Sequence, residues 1–308
     1  MAVATGSMVD VQIGSSAILP IQFRMVLPVM PTILLPEPAL LCAGAFGGPL
    51  CIGALTPLRN ACTLAAQDKL STVKQIYGRV FSRGITTGWT GACTPAAAAA
   101  VQFTTLGPGY FVYLNMLGSP AAAVAAGAVT ESFIVYGPTT RNSQLLNNVM
   151  ATSAEKKVQV RPFRAFGPGF TALVLRNSCA NAGIRVLANP FAQFLSRFSG
   201  AEPGQIPAAC RCGGDFMASV FCGAASMPFN QLFSFQVTSP ECMAGGPVQR
   251  LKLGLQFLKS QYLVTSSDGK TRLSRLIVRD GTLRALYIGV LFSSYASVER
   301  LALSIARG

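Results

Sequence analysis

The sequence predicts an all-α membrane protein in which six transmembrane helices form three pseudo-symmetric two-helix repeats. Three observations predict it. Residues 84–130 are a stretch of 47 without one charged residue, and residues 216–240 are another of 25. An apolar run of about 18 or more reads as a membrane span, so 47 residues suffice for two spans in succession. The whole chain is 51% hydrophobic and 12% charged, with a mean hydropathy of +0.45; an ordinary soluble domain carries charge on about a quarter of its residues. Finally, one order of small-residue helix, proline, polar-basic loop and glycine-aromatic turn recurs three times, with Pro57, Pro138 and Pro228 spaced by 81 and 90 residues. A soluble Ala/Gly-rich fold with a buried helix is the competing reading, and the span lengths argue against it.

The elements follow in order. Met1–Ser16 carries no basic residue, and Ile18–Leu35 is broken by Arg24 and by prolines, so no secretory signal is expected. Residues 1–39 are read as an N-terminal arm that docks on a partner. Repeat 1 covers residues 40–118. It starts with Gly44-x-x-x-Gly48, a small-residue face for close helix packing, passes Thr56-Pro57-Leu58-Arg59-Asn60-Ala61-Cys62 and reaches the turn from Gly84 to Gly91 around Trp89. The alanine run Ala96–Ala100 suits a packed span, because Ala is the best helix former and its small size admits a neighbouring helix. A turn at Asn115-Met116-Leu117-Gly118-Ser119-Pro120 separates the next helix. Repeat 2, residues 119–200, holds Ala123-x-x-x-Gly127, Pro138-Thr139-Thr140-Arg141-Asn142-Ser143 and Phe166-Gly167-Pro168-Gly169-Phe170. Repeat 3, residues 201–308, holds Pro228-Phe229-Asn230-Gln231-Leu232-Phe233 and Asp280-Gly281 followed by Tyr287-Ile288-Gly289, with a longer loop over residues 237–280. Each of the three prolines removes a helix hydrogen bond and is expected to kink its helix.

Charge and composition narrow the chemistry. There are 25 Lys and Arg against 11 Asp and Glu, a formal net charge of +14, and no histidine. A Ser-His-Asp or Cys-His arrangement is therefore impossible and most zinc and haem sites are removed, so no enzyme and no metal are expected. The nine cysteines include no C-x-x-C pair; Cys210-Arg211-Cys212 alone is close-spaced, and most lie in apolar runs where a free Cys acts as a small hydrophobe. A basic chain can mean nucleic acid, yet the positive charge lies at the edges of apolar runs with little aromatic interleaving, so no nucleic acid is expected. Residues 68–90, 150–166 and 237–280 hold four, four and seven of the basic residues, whereas residues 115–122 hold none. By the positive-inside rule those loops share one side, and six spans place both termini on the other.

Three two-helix repeats with this punctuation resemble the mitochondrial carrier family over about residues 40–305. Its repeats carry P-x-[DE]-x-x-[KR] and later an acidic-Gly pair before an aromatic-basic-Gly turn. Asp280-Gly281 with Tyr287 and Gly289 is similar to the second motif, with Ile288 in place of the basic residue, and Gly84 to Gly91 around Trp89 is similar as well. The resemblance implies a multi-pass protein of the mitochondrial inner membrane, with basic loops in the matrix, both termini toward the intermembrane space, and cardiolipin or another phospholipid bound.

In that family the acid and base after each proline form a ring of ion pairs that closes the matrix gate. Here those positions are Arg59 and Cys62, Thr140 and Ser143, Asn230 and Phe233, so no pair survives. A polar contact such as Asn230 to Thr140 is a weak substitute, worth about 1 kcal/mol. At the second gate, Arg197 and Glu299 remain as relics from which no ring is expected. The family's substrate site lies on the even helices. Pro95–Thr105 and Val290–Val298 are uncharged, which leaves Arg176, Asn177 and Arg185 as substrate-binding candidates if transport is retained. The alternative for both arginines is bonding to helix-end carbonyls or snorkelling. Scaffold motifs kept and gate charges erased imply a transport-inactive, carrier-like accessory subunit of a large inner-membrane complex, a respiratory-chain complex or the ATP synthase, whose partners are the other subunits and lipid. The alternative is a divergent carrier that exchanges small carboxylates.

Overall fold

The computed structural model describes residues 37–66, 68, 70–82, 84–150, 157–160, 164–200, 205–265 and 270–307. Nearly all of the arm at residues 1–39, most of the loop at 150–166 and the turn between Thr265 and Lys270 fall outside these. The described chain is mostly helical, and its helices string into six rods. The first is α1 (Pro38–Cys42), a π-helical turn (Ala43–Gly47), α2 (Gly48–Ala54) and α3 (Thr56–Ala65). After the short α4 (Val73–Val80) comes the second, α5 (Cys93–Leu106) with α6 (Pro108–Leu117). The third is α7 alone (Pro120–Met150). The fourth joins α8 (Phe170–Ala182) through a π-helical turn (Gly183–Leu187) to α9 (Ala188–Ser196), and the fifth is α10 (Ala208–Ala225) with α11 (Met227–Thr238). Then α12 (Pro240–Ala244) and α13 (Pro247–Tyr262) lead to a hairpin, β1 (Leu263–Thr265) antiparallel to β2 (Thr271–Leu273) with Val264 opposite Arg272. The sixth rod is α14 (Leu276–Arg307).

By length and composition α7 and α14 can each cross a membrane, and the first rod makes a third if its bent halves count as one span. This is fewer than the six spans expected. The reason is local: Leu55, Gly107 and Gly183–Leu187 divide the first, second and fourth rods into shorter helices, and in the fifth the 18-residue α10 carries Arg211 and Asp215 before the break at Ser226.

Each rod packs on the next in sequence, and the sixth returns to the first, with α14 against α1, α2 and α3, so the rods close a ring. Small residues permit the close approaches. A Cβ at Gly44 would lie 2.8 Å from the Thr104 backbone, one at Gly48 would lie 2.7 Å from Phe103, and one at Gly214 would meet the Ala192 backbone. Gly118, at φ 65°, turns the chain from α6 into α7 as an αL cap. Large apolar side chains such as Phe46, Leu50, Phe221, Leu301 and Ile305 remain exposed, as expected where lipid is the solvent.

The prolines act unequally. Pro57 sits in the first turn of α3 after a 60° bend, and Pro228 opens α11 after the break at Ser226. Pro138, by contrast, lies inside the continuous 31-residue α7. A helix packed on both sides tolerates one missing hydrogen bond. At this end of the ring α3 and α11 both pack against α7. Asn60 Nδ2 donates to the Gly88 and Thr90 carbonyls, Gln144 Nε2 to the Val237 carbonyl, and Arg279 Nη1 and Nη2 to the carbonyls of Asp68, Ser71 and Ala65. Trp89 of the predicted glycine turn donates from Nε1 to the Gly53 carbonyl at 2.9 Å. Behind this end the Tyr262 hydroxyl, 3.2 Å from Asp280 Oδ2, is held well above its ordinary pKa by burial and by that carboxylate.

Candidate functional site

A cavity of about 60 Å³ lies inside the ring, lined from all six rods. Its chemistry is set by four charged side chains. Arg59 of α3, Arg176 of α8 and Arg284 of α14 bring three guanidiniums to it, and Glu131 of α7 brings one carboxylate. Ionised, these leave a net charge of +2 on the cavity lining.

The three cations are poorly compensated. Arg176 donates from Nε and Nη2 to Asn177 Oδ1 at 3.1 and 3.0 Å, reaches Asn230 Oδ1 with Nη1 at 3.5 Å, and lies over the Phe233 ring at 5.6 Å. Arg284 donates to Ser226 Oγ at 3.2 Å and lies over the Tyr287 ring. The Arg59 Nη1 group is buried with no hydrogen-bond partner among the described residues. No carboxylate forms a salt bridge with Arg59, Arg176 or Arg284 among the described residues. Glu131 instead accepts from Gln102 Nε2 at 2.7 Å and Asn181 Nδ2 at 2.9 Å. Asn177 Nδ2 donates to Ser132 Oγ at 3.1 Å, which ties the fourth rod to the third.

Five of the six residues read from the sequence as the first gate line this cavity. Arg59, Cys62, Ser143, Asn230 and Phe233 line it, and Thr140 is buried beside it with an unpartnered hydroxyl. Asn230 is engaged by Arg176 rather than by Thr140, so the expected Asn230–Thr140 contact is replaced. Besides Arg176 and Asn177, which the sequence reading names as candidates, the cavity presents Glu131 and Arg284, which it does not. Each is a charge within a long helix, and only the fold brings the two to one cavity.

Arg185 is not part of the cavity. Nine residues beyond Arg176, about 13 Å along a helix, it forms a separate latch toward the other end of the ring. Its Nη1 and Nη2 donate to Glu299 Oε2 and Oε1 at 3.1 and 2.7 Å, and Nε donates to the Leu106 carbonyl at the end of α5. The guanidinium also lies over the rings of Tyr110 and Phe111 at 5.7 and 5.6 Å. Both partners are nearly inaccessible, with side chains 9% exposed. Tyr295 donates to the Phe103 carbonyl one turn before this point. Glu299, read from the sequence as a gate relic from which no ring is expected, thus joins the second, fourth and sixth rods through Arg185. The neighbouring Arg300 pairs with Asp215 of α10, adding a fifth-rod contact. The sequence offered no signal for these pairs, since Arg185 and Glu299 are 114 residues apart.

No group of three or more metal-ligating side chains occurs among the described residues, and all nine cysteines are free thiols. Comparison of the chain with models of known protein families gives no match. Comparison with curated proteins gives none either.

Proposed function

We propose that this chain is a membrane transporter for small carboxylate anions, built as six spans in three carrier-like repeats and residing in the mitochondrial inner membrane with both termini toward the intermembrane space. One observation carries the reading. Three guanidiniums from three rods converge on one cavity with one carboxylate among them, and Arg59 Nη1 has no partner among the described residues. Buried charge that is not compensated within the protein is costly and marks a functional site inside a membrane. An anion supplies the missing compensation. Lipid on the exposed apolar faces, cardiolipin included, fits the same setting.

Reconstituted into liposomes, the full chain should exchange a small dicarboxylate such as succinate saturably, and Arg176→Ala or Arg284→Ala should reduce the rate by tenfold or more. Absence of saturable exchange overturns the reading.

A second reading keeps the scaffold and drops transport: an accessory subunit of a large inner-membrane complex, docked through its arm and loops. It is favoured by the first-gate positions, where Cys62, Thr140, Ser143, Asn230 and Phe233 offer no ion pair that can break and re-form. Native electrophoresis of gently solubilised membranes separates the two. Co-migration with respiratory or ATP synthase subunits supports the accessory role, and migration near 32.3 kDa plus detergent supports the free transporter.

A further inference from the structure

Glu131 shares the cavity with the arginines but is bonded only to two neutral amides. The residue is 2% exposed, so an ionised carboxylate there owes its stability to the cations across the cavity. Those facing it are Arg176 from the fourth rod, Arg284 from the sixth and Arg59 from the first. The titratable neighbours are Tyr287 on the sixth rod and Cys62 on the first, and the second rod presents Gln102 and no charge. When an anion occupies the arginines it cancels the field that keeps Glu131 ionised and adds a like charge inside the same small cavity. A second feature provides for the other protonation state. Asn181 Oδ1 is buried without a partner, and rotation of that amide turns it toward Glu131, where it can accept from a carboxylic O–H.

We propose that Glu131 takes up a proton as an anion enters the Arg59, Arg176 and Arg284 cluster, so that the site binds one small carboxylate together with one proton. The proton comes from the aqueous phase and forms an O–H bond on Glu131; no other bond changes, and release of the anion returns the proton. By linkage the coupling is reciprocal: protonation tightens anion binding by the factor by which the anion favours protonation. This inference rests on the anion reading above and assigns it a coupling ion.

The test is calorimetric titration of the full chain in detergent with succinate, repeated in two buffers of different ionisation enthalpy between pH 7 and pH 8, where succinate itself is fully ionised. The wild type should take up as much as about one proton per succinate, and its affinity should fall by as much as about tenfold per pH unit as pH rises. Glu131→Gln should lose the proton uptake and bind about tenfold tighter than the wild type at pH 8. Unchanged proton uptake in Glu131→Gln overturns the proposal, and so does wild-type binding without proton uptake, although the anion site then stands. Failure of the wild type to bind succinate at any pH overturns the anion site and this proposal with it. The wild-type measurement decides the matter even if the variant does not fold.

Discussion

The two buried charge clusters differ in how completely they are paired. At the latch, Arg185 and Glu299 make a bidentate pair with a carbonyl and two aromatic rings around it, and every strong donor is engaged. In the cavity, three arginines face one carboxylate and one guanidinium nitrogen has no partner among the described residues. The first arrangement is complete within the protein, so it holds rods together. The second is incomplete, so it asks for something from outside. Removing a charge should therefore have opposite consequences at the two places.

The largest effect is expected at the latch. Arg185→Met or Glu299→Gln leaves its partner buried and uncompensated, which costs on the order of 3–5 kcal/mol. Thermal unfolding in detergent should shift down by several degrees for each single variant. The double variant Arg185→Met/Glu299→Leu should recover most of the loss, because replacing a buried pair with apolar groups is often neutral. Equal damage from the single and double variants would remove the distinction between the clusters.

Next in size is Gly107, the break between α5 and α6. A Cβ there would lie 2.7 Å from Glu299 Oε1 and 2.9 Å from the Phe103 carbonyl. Gly107→Ala should destabilise by about 1–3 kcal/mol through overpacking against the latch. At Gly53, where an added Cβ meets nothing within 4 Å, the same substitution should leave the melting temperature nearly unchanged. A similar loss at both positions would show that the latch is not the source of the cost.

At the cavity the sign reverses. Arg176→Met relieves repulsion among three cations, so the melting temperature without anion should hold or rise, while the stabilisation conferred by succinate should fall. A tenfold loss of affinity corresponds to about 1.4 kcal/mol. A variant as damaged as Arg185→Met would show that Arg176 is structural.

The helical class, the apolar runs and the glycine contacts were legible in the sequence because each depends on nearby residues. Gly44 and Gly48 do meet α5, and the turn at Gly118 separates α6 from α7 as the local composition indicates. The cavity was half legible. Arg176 and Asn177 stood out as polar residues in an apolar helix, but Glu131 and Arg284 acquire meaning only when the ring brings α7 and α14 to the same enclosure. Arg185 was grouped with Arg176 because they share a rod. Its true partner comes from a rod far away in sequence, and no periodicity within α8 or α9 could reveal that. Pro138 shows another limit: the sequence alone does not say whether a proline opens a helix, as Pro228 does near the start of α11, or lies within one, as Pro138 does in α7.

The smallest effect belongs to a fully local cluster, which calibrates the other three. Asp68 lies in the loop between α3 and α4. Partial burial pushes its carboxyl up, but hydrogen bonds from the Ser71 hydroxyl and from the backbone N–H groups of Leu70 and Ser71, together with the Arg79 charge, outweigh this and bring it down to about 2. A carboxylate with a depressed folded-state pKa contributes stability that is fully present above its unfolded value of about 4 and is lost as pH falls through 2. Asp68→Asn should therefore lower backbone hydrogen-exchange protection at Leu70 and Ser71 at pH 5, by no more than about 1 kcal/mol. The difference from wild type should shrink as pH approaches 2, where the native carboxyl protonates. A difference that stays constant down to pH 2 would mean that shape, not charge, holds this turn. The latch variants should show no such pH dependence over the same range at Leu70 and Ser71, since their charges lie near the opposite end of the ring.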